Sequence, residues 1–263
     1  MPVAVLLGLV IGSFLNVVIA RVPEGRSVWR PRSACPGCGA LIAWYDNVPL
    51  ASFALLGGRC RRCRMAIPWR YPIVEAATGV AFAFAWGAFG PTPAFVAAAL
   101  LLSMLIAVTA IDLAHQIIPD VVTLPGIALG MVAGLALGRP GVAIPLLGIP
   151  AGSPAGVVVD SVVGAAVGGG IFLVIILASG GGMGGGDMKL GAMLGAFLGW
   201  QLCLLALLLA VLGGGLVALV LLALGRRGRK DAIPFGPFLA LGGTIALFQG
   251  ETILAWYLER VAG

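Results

Sequence analysis

The chain has 263 residues, of which 60% are hydrophobic and only 10% are charged, and its mean hydropathy is +1.10. Soluble domains carry about 25% charged residues, so this composition excludes a soluble domain and predicts an all-α polytopic membrane protein. The 41 glycines favour close packing of helices in lipid. The first apolar run, 2–20, has no basic start and no A-x-A-like exit, so we expect a retained first span.

The net charge of +6 is concentrated in two segments. Residues 21–72 carry nine arginines against Glu24 and Asp46, and residues 226–230 carry four more basic residues. Such clusters suit either nucleic acid or anionic lipid. The positive-inside rule explains them better, because it places both segments in the cytoplasm beside a lipid bilayer. We therefore expect no nucleic-acid partner.

Apolar runs separated by turn signals predict about eight transmembrane helices, with both chain ends outside. The stretch 190–224 has 35 residues, whereas one span needs about 20. Because segment 226–230 must be inside, two short spans must fill this stretch, with a turn near Trp200 to Ala206. Asp160 lies near the outer end of the fifth span, where we expect a solvated or capping role. The spans are about 3–20, 72–89, 94–112, 121–137, 157–178, two within 190–224, and 235–256.

Two acids are predicted at the same membrane depth. Asp112 lies at the inner end of the third span, and Asp187 lies at the inner start of the sixth. Ionisable residues at membrane depth are costly and are functional-site candidates by default. Paired carboxylates suit aspartyl proteolysis, because one protonated and one ionised group can share a proton and direct a water. The structural alternative is that each acid caps a helix or pairs with an arginine.

Residues around the second acid extend this candidate site. Gly184 and Gly186 form a GxGD motif with Asp187, and we expect them to allow a sharp bend and the close approach of another segment. Lys189 either holds an ionised carboxylate or extends to the lipid headgroups. Asp120, which precedes the fourth span, is predicted to be a helix N-cap.

Three further polar residues lie within or beside predicted spans. Asn16 falls inside the first span and should bond across helices, because an amide in lipid needs a partner. Glu75 is either the partner of an arginine such as Arg70 or a substrate or cofactor contact. His115, the only histidine, is three residues from Asp112, on a neighbouring helix face. A structural role is the favoured interpretation for His115.

Four cysteines form two CxxC pairs with 21 residues between them. This spacing slightly exceeds the roughly 15–20 residues usual for a zinc ribbon. Four thiolates can close a tetrahedral zinc site, and a cytoplasmic location disfavours disulfides. Reduced structural thiols and redox chemistry are the alternatives. Cys203 stands alone in an apolar stretch and should pack in the core. The predicted zinc ligands are Cys35, Cys38, Cys60 and Cys63.

With these residues in view, the chain resembles the type IV prepilin peptidases, which are bifunctional leader peptidases and N-methyltransferases of the GxGD aspartyl class. Ala114 stands where many relatives have a second acid. The similarity covers nearly the whole chain and rests on "GSFLNVVIARVP" (12–23), the cysteine-bearing segment 35–79, "IDLAHQIIPD" (111–120) and "GGGDMKLGAMLGAFLGW" (184–200).

The resemblance implies that Asp112 and Asp187 are catalytic, supported by Gly184, Gly186 and Lys189. It implies a prepilin or pseudopilin precursor as substrate, cut after its short basic leader at the cytoplasmic face of a bacterial inner membrane. It also implies N-methylation with S-adenosylmethionine. The domains are then a first helix at 1–20, a zinc-ribbon-like cytoplasmic domain at 21–72 and a seven-helix peptidase at 73–263.

Two other classes of function compete with this interpretation. A proton-coupled transporter would use intramembrane carboxylates, but the acids are predicted at one boundary rather than at the midplane, and no internal repeat is visible. A non-catalytic assembly scaffold built on the cysteine domain would tolerate loss of either acid.

Overall fold

The computed structural model describes residues 1–139, 141, 149–150, 152–179, 184–225 and 233–262. They form two compact units, Met1–Phe95 and Val96–Gly263. Residues 180–183 of the glycine-rich run at 180–186, and the basic segment 226–230, lie outside the described residues. The helices are α1 (Pro2–Arg21), α2 (Ala51–Leu55), α3 (Arg70–Phe89), α4 (Pro93–His115), α5 (Asp120–Ala136), α6 (Pro154–Ala178), α7 (Gly185–Ala223) and α8 (Gly236–Ala262).

The helices have the length and composition of membrane spans. Six of those described, α1, α3, α4, α6, α7 and α8, are long and apolar enough to cross a bilayer, and α5 is a shorter apolar helix. The predicted all-α polytopic membrane protein is therefore confirmed. The helix ends fall within a few residues of the predicted ones except at α8, which continues past residue 256 to Ala262.

The chain reverses direction inside α7. Gly199 has φ 77° and ψ 172°, a left-handed backbone conformation that favours glycine. Cys203 Sγ lies 3.8 Å from the carbonyl oxygen of Gly191, 12 residues earlier, whereas a straight helix would separate such residues by about 18 Å. Gly199 thus divides α7 into α7a (185–198) and α7b (200–223). The predicted turn is confirmed and begins just before the expected position, whereas the crossing of the bilayer by each half stays a prediction.

A row of glycines joins α6 to α7a. Gly164 and Gly168 on α6 face Gly195 and Gly191 on α7a, in antiparallel order. A Cβ on Gly191 would lie 2.7 Å from the Gly168 carbonyl oxygen, and one on Gly195 would clash harder with the Gly164 carbonyl. These two G-x-x-x-G pairs, called the glycine seam below, let the helix backbones touch. The seam fixes the start of α7a, where Asp187 lies.

A buried ion pair closes the far end of this seam. Arg139 Nη1 donates to Asp160 Oδ2 at 2.6 Å, and Nη2 donates to the Ser161 hydroxyl. The backbone N–H of Trp200 donates to Asp160 Oδ1 at 3.4 Å. Arg139 is 6% exposed and Asp160 is 8% exposed, so a solvated role for Asp160 was wrong. Asp160 does not cap its own helix either, because the N-cap of α6 is Ser153; it instead pairs with Arg139 and accepts the Trp200 N–H at the start of α7b.

The core of the second unit surrounds α7a. Met193, Leu194 and Phe197 are each fully buried. Gly126 and Gly130 of α5 lie against Met193 and Phe197, and the α8 backbone lies against Leu194. Burial begins at Leu190 and holds the later part of α7a between the other helices, whereas its first turn, with the functional candidates, is partly exposed.

Candidate active site and candidate metal centre

Asp112 lies in the last turn of α4 and is 4% exposed. Its Oδ2 accepts a hydrogen bond of 2.8 Å from the backbone N–H of Gly236, the first residue of α8. A Cβ at position 236 would lie 2.8 Å from the same oxygen, so only glycine allows this approach. Asp112 therefore stabilises the start of α8. Gly236 was missed from the sequence, although its position before a proline and an apolar run indicates a helix start.

Asp187 lies in the first turn of α7a, with Gly184 as the N-cap residue. The residue before it, Gly186, lies against Ile118, and Lys189 binds Asp120, so the start of α7a lies beside the segment that follows Asp112. Helices α4 and α7 thus bring together two acids that are 75 residues apart. The catalytic roles of these two acids stay a prediction.

Of the two glycines of the GxGD motif, Gly186 has a steric reason to be glycine and Gly184 has none. A Cβ on Gly186 would lie 2.8 Å from Ile118 Cβ, so the expected close approach is found there. Gly184 has φ −78° and ψ 144°, which any residue can adopt. Residues 184–186 have no left-handed φ, so no backbone conformation there requires glycine.

Lys189 binds a carboxylate, but that carboxylate belongs to Asp120. Lys189 Nζ lies 2.6 and 2.7 Å from the two oxygens of Asp120. Asp120 is the first residue of α5, and its N-cap is Pro119. The N-cap prediction for Asp120 was therefore wrong, and the side chain instead joins the first turn of α5 to that of α7a. His115 ends α4 and is exposed.

The four predicted zinc ligands form one cluster in the first unit. The sulfur atoms of Cys35, Cys38, Cys60 and Cys63 all lie within 4.8 Å of one another, and all four cysteines are free. Backbone N–H groups of Cys63 and Arg62 lower the pKa of Cys60 to about 6. The cluster could hold a metal ion, because thiolates are the ligating form of cysteine.

The two CxxC turns share one backbone pattern. The N–H of Cys35 bonds to Ala40 O at 2.9 Å, and that of Cys60 bonds to Met65 O at 2.8 Å. Isolated antiparallel bridges, Ala34 with Leu41 and Arg59 with Ala66, close both turns. Each turn therefore orients its two thiols through bonds between near neighbours in the sequence.

The polar residues of the first two predicted spans also have defined partners. Asn16 is 1% exposed, and its Nδ2 donates to Tyr71 O at 3.0 Å, so the expected bond between helices is confirmed. Glu75 is 8% exposed, and its Oε2 accepts from the Leu50 N–H at 2.8 Å. Arg70 lies over the ring of Tyr71, 5.3 Å from its centroid, and is not the partner of Glu75.

Two family models match the chain. The Bacterial Peptidase A24 N-terminal domain matches residues 6–89, and the Type IV leader peptidase family matches residues 99–219. The first match ends before α4, and the second contains Asp112, Asp187 and the glycine seam. No solved structure matches the chain.

Curated relatives cover most of the chain. The prepilin leader peptidase/N-methyltransferase of Myxococcus xanthus is 45% identical over 85% of this chain and 64% of its own length. Proteins of the same name from Burkholderia pseudomallei and Pseudomonas aeruginosa are each 38% identical to this chain. The first match covers 94% of this chain and 84% of the relative, and the second covers 97% of this chain and 92% of the relative. The chain belongs to the type IV leader peptidase family.

Proposed function

We propose that this protein is a membrane aspartyl endopeptidase that removes the short basic leader of type IV prepilins or pseudopilins and then N-methylates the new N-terminus. Asp112 and Asp187 are its catalytic pair. The observation that carries the proposal is that the start of α7a, with Asp187, lies against the segment just after the end of α4, with Asp112, through Gly186 and Ile118. The names of the relatives support both activities.

The pair supplies an acid and a base for peptide hydrolysis. The ionised carboxylate takes a proton from water, whose oxygen attacks the carbonyl carbon, while the protonated carboxyl donates its proton to the carbonyl oxygen. The C–N bond then breaks, and the amine nitrogen takes up a proton. The Gly236 N–H donates to Asp112 Oδ2 and fixes the orientation of this carboxylate, which keeps further lone pairs for a water.

The supporting residues act on the position of Asp187. Gly186 allows Ile118 to lie against the first turn of α7a. The ion pair of Lys189 with Asp120 joins that turn to the start of α5. We therefore assign Lys189 and Gly186 positioning roles, and Gly184 the N-cap of the helix that carries the acid.

We place the active site at the cytoplasmic boundary of a bacterial inner membrane. The basic segments 21–72 and 226–230 support this orientation through the positive-inside rule. A prepilin has its leader in the cytosol and its hydrophobic helix in the bilayer, so its scissile bond lies at the same boundary. The transporter alternative gains no support, because Asp112 and Asp187 lie at helix ends rather than mid-helix.

The chain is proposed to divide along its sequence into a first helix at 1–20, a four-cysteine domain at 21–72 and a peptidase domain at 73–263. The four-cysteine domain is proposed to hold zinc and to serve methylation. A tetrahedral zinc ion with Zn–S bonds of about 2.3 Å separates its sulfurs by about 3.8 Å. Cys35 Sγ and Cys63 Sγ are 3.7 Å apart, so the cluster fits this ion. Zinc would fix the fold of the domain, and S-adenosylmethionine would supply the methyl group.

The test uses membranes containing the full chain, a prepilin precursor and S-adenosylmethionine, with product masses as the readout. Asp112→Asn and Asp187→Asn should each lower leader cleavage about a hundredfold or more, at unchanged amounts of protein in the membrane. Glu251→Gln removes an exposed carboxylate from α8 and should cleave at the wild-type rate. Wild-type cleavage by either asparagine variant would remove the assignment.

A further inference from the structure

A cavity of about 290 Å³ lies inside the first unit, beside the cysteine cluster. Its walls include Tyr45, Phe53 and Leu56, together with two of the four clustered cysteines and the carboxylate of Glu75. The size and the mainly apolar, aromatic wall are those of a small-molecule site. The peptidase mechanism does not use this cavity.

Glu75 brings a buried charge to the cavity without a compensating cation. It is 8% exposed, and its carboxylate accepts a hydrogen bond from the Leu50 N–H at 2.8 Å. In the part of the chain that the structure describes, none of the ion pairs includes Glu75. A buried carboxylate is costly unless a positive charge accompanies it.

The other carboxylate of the cavity differs in this respect. Asp46 Oδ1 lies 2.6 Å from Nη2 of Arg61, and both of its oxygens accept from Arg61 Nε at 3.0 Å. This guanidinium lowers the pKa of Asp46 from its usual value. The charge of Asp46 is therefore compensated, and Glu75 is left as the carboxylate available to a cationic ligand.

The backbone beside Glu75 is strained. Leu50 has φ 59° and ψ −46°, a combination that is unfavourable for a residue with a side chain. The carboxylate of Glu75 holds the N–H of this same residue. Strained residues persist where surrounding contacts enforce them, and they concentrate at ligand sites.

We propose that this cavity binds the methyl donor, a nucleoside that carries a sulfonium cation. The Glu75 carboxylate would favour this cationic donor over its neutral thioether product. The proposal rests on the methyl transfer proposed above. In that transfer the methyl carbon bonds to the amine nitrogen, the C–S electron pair stays on sulfur as a neutral thioether, and the nitrogen releases a proton. The apolar and aromatic walls suit the nucleoside, and Glu75 suits the cation that only the unreacted donor carries.

The test measures ligand affinity in the full-length, zinc-loaded protein by calorimetry or equilibrium dialysis. Three probes differ at one position: S-adenosylmethionine has a sulfonium, sinefungin has a charged amine, and S-adenosylhomocysteine has a neutral sulfur. Glu75→Gln keeps an oxygen that can accept from Leu50 but removes the charge. We expect it to weaken both cationic probes about tenfold or more and the neutral probe far less. Glu24→Gln, at an exposed surface pair, should change none of the three affinities.

A second variant tests the cavity through its volume. Ala43→Leu places a larger side chain on the cavity wall, without changing Glu75, and should weaken all three probes to a similar extent. Zinc content and thermal melting of each variant report whether the domain is folded. This variant keeps the proposal testable if Glu75→Gln does not fold.

Methylation of the cleaved product is measured in parallel, so that the two proposals can fail separately. Equal weakening of all three probes by Glu75→Gln, in folded protein, would reduce Glu75 to a structural anchor of Leu50 and overturn the inference. Unchanged affinities in folded Ala43→Leu would move the donor to another site. If the wild-type protein neither methylates nor binds any probe, the proposed methyl transfer fails as well.

Discussion

The cysteine cluster and the acid pair are two sites built in opposite ways. Each CxxC turn is shaped by hydrogen bonds between residues at most nine apart in the sequence, such as Cys35 with Ala40. Asp112 is instead held by Gly236, 124 residues later, and Asp187 is held by the packing of α7a against α5, α6 and α8. The first site is local and the second is tertiary, so they should fail differently when single residues are changed.

The largest effect is expected at the local site, where a metal adds its binding energy to folding. We predict about one zinc per chain and loss of this zinc in Cys38→Ser, which removes one of the four ligands. The effect should be large, because the apparent binding free energy of a structural zinc ion is about 10 kcal/mol or more. Metal analysis checks this, and Cys203→Ala, which removes a buried thiol outside the cluster, should keep its zinc. Protein that methylates fully without zinc would contradict the prediction.

The next effect is expected at the far end of the glycine seam. Asp160→Asn leaves the charge of Arg139 buried and unpaired, which should lower the free energy of unfolding by about 3–5 kcal/mol and lower leader cleavage with it. Thermal melting in detergent measures the loss. In the double variant Arg139→Met, Asp160→Asn, most of the stability should return, because no charge remains buried. If the double variant is as unstable as Asp160→Asn, the charge is not the cause.

The seam itself gives a smaller but more direct test of tertiary control. Gly164→Ala pushes a methyl group into the backbone of α7a and should cost about 2 kcal/mol or more, with reduced cleavage although neither acid is changed. Gly170→Ala lies on the same helix with no atom near the new methyl. It should be neutral or raise stability by up to about 1 kcal/mol. Equal melting temperatures for the two alanine variants would refute the role of the seam.

The smallest expected effect compares the two CxxC turns with each other. Gly39 and Arg64 occupy equivalent positions, with φ of 67° and 61°, but only one of them is glycine. Arg64→Gly should remove the left-handed strain and increase resistance to zinc removal by a chelator, with a gain of up to about 1 kcal/mol. Arg62→Gly, in the same turn but without positive φ, should give no gain. Faster zinc loss from Arg64→Gly than from the wild type would count against this explanation.

Much of the candidate site could be predicted because its residue types stand out against a membrane background. Asp112, Asp187 and Lys189 are charged residues in or beside apolar runs, and the four cysteines form two short motifs. Their partners could not be predicted. Lys189 binds Asp120 instead of a catalytic acid, and this choice depends on how α5 lies beside α7a.

The amino-acid sequence alone determined the helical membrane architecture, the reversal within α7 and the local shape of the cysteine turns. Hydrophobic run length, charge distribution and near-neighbour hydrogen bonds carry that information. Only the tertiary structure decided that Arg139 and Asp160 are buried together, that Gly236 holds Asp112 and that Glu75 pairs with no cation among the described residues. These contacts join residues from separate helices, and their energies depend on backbone approaches that no local pattern encodes.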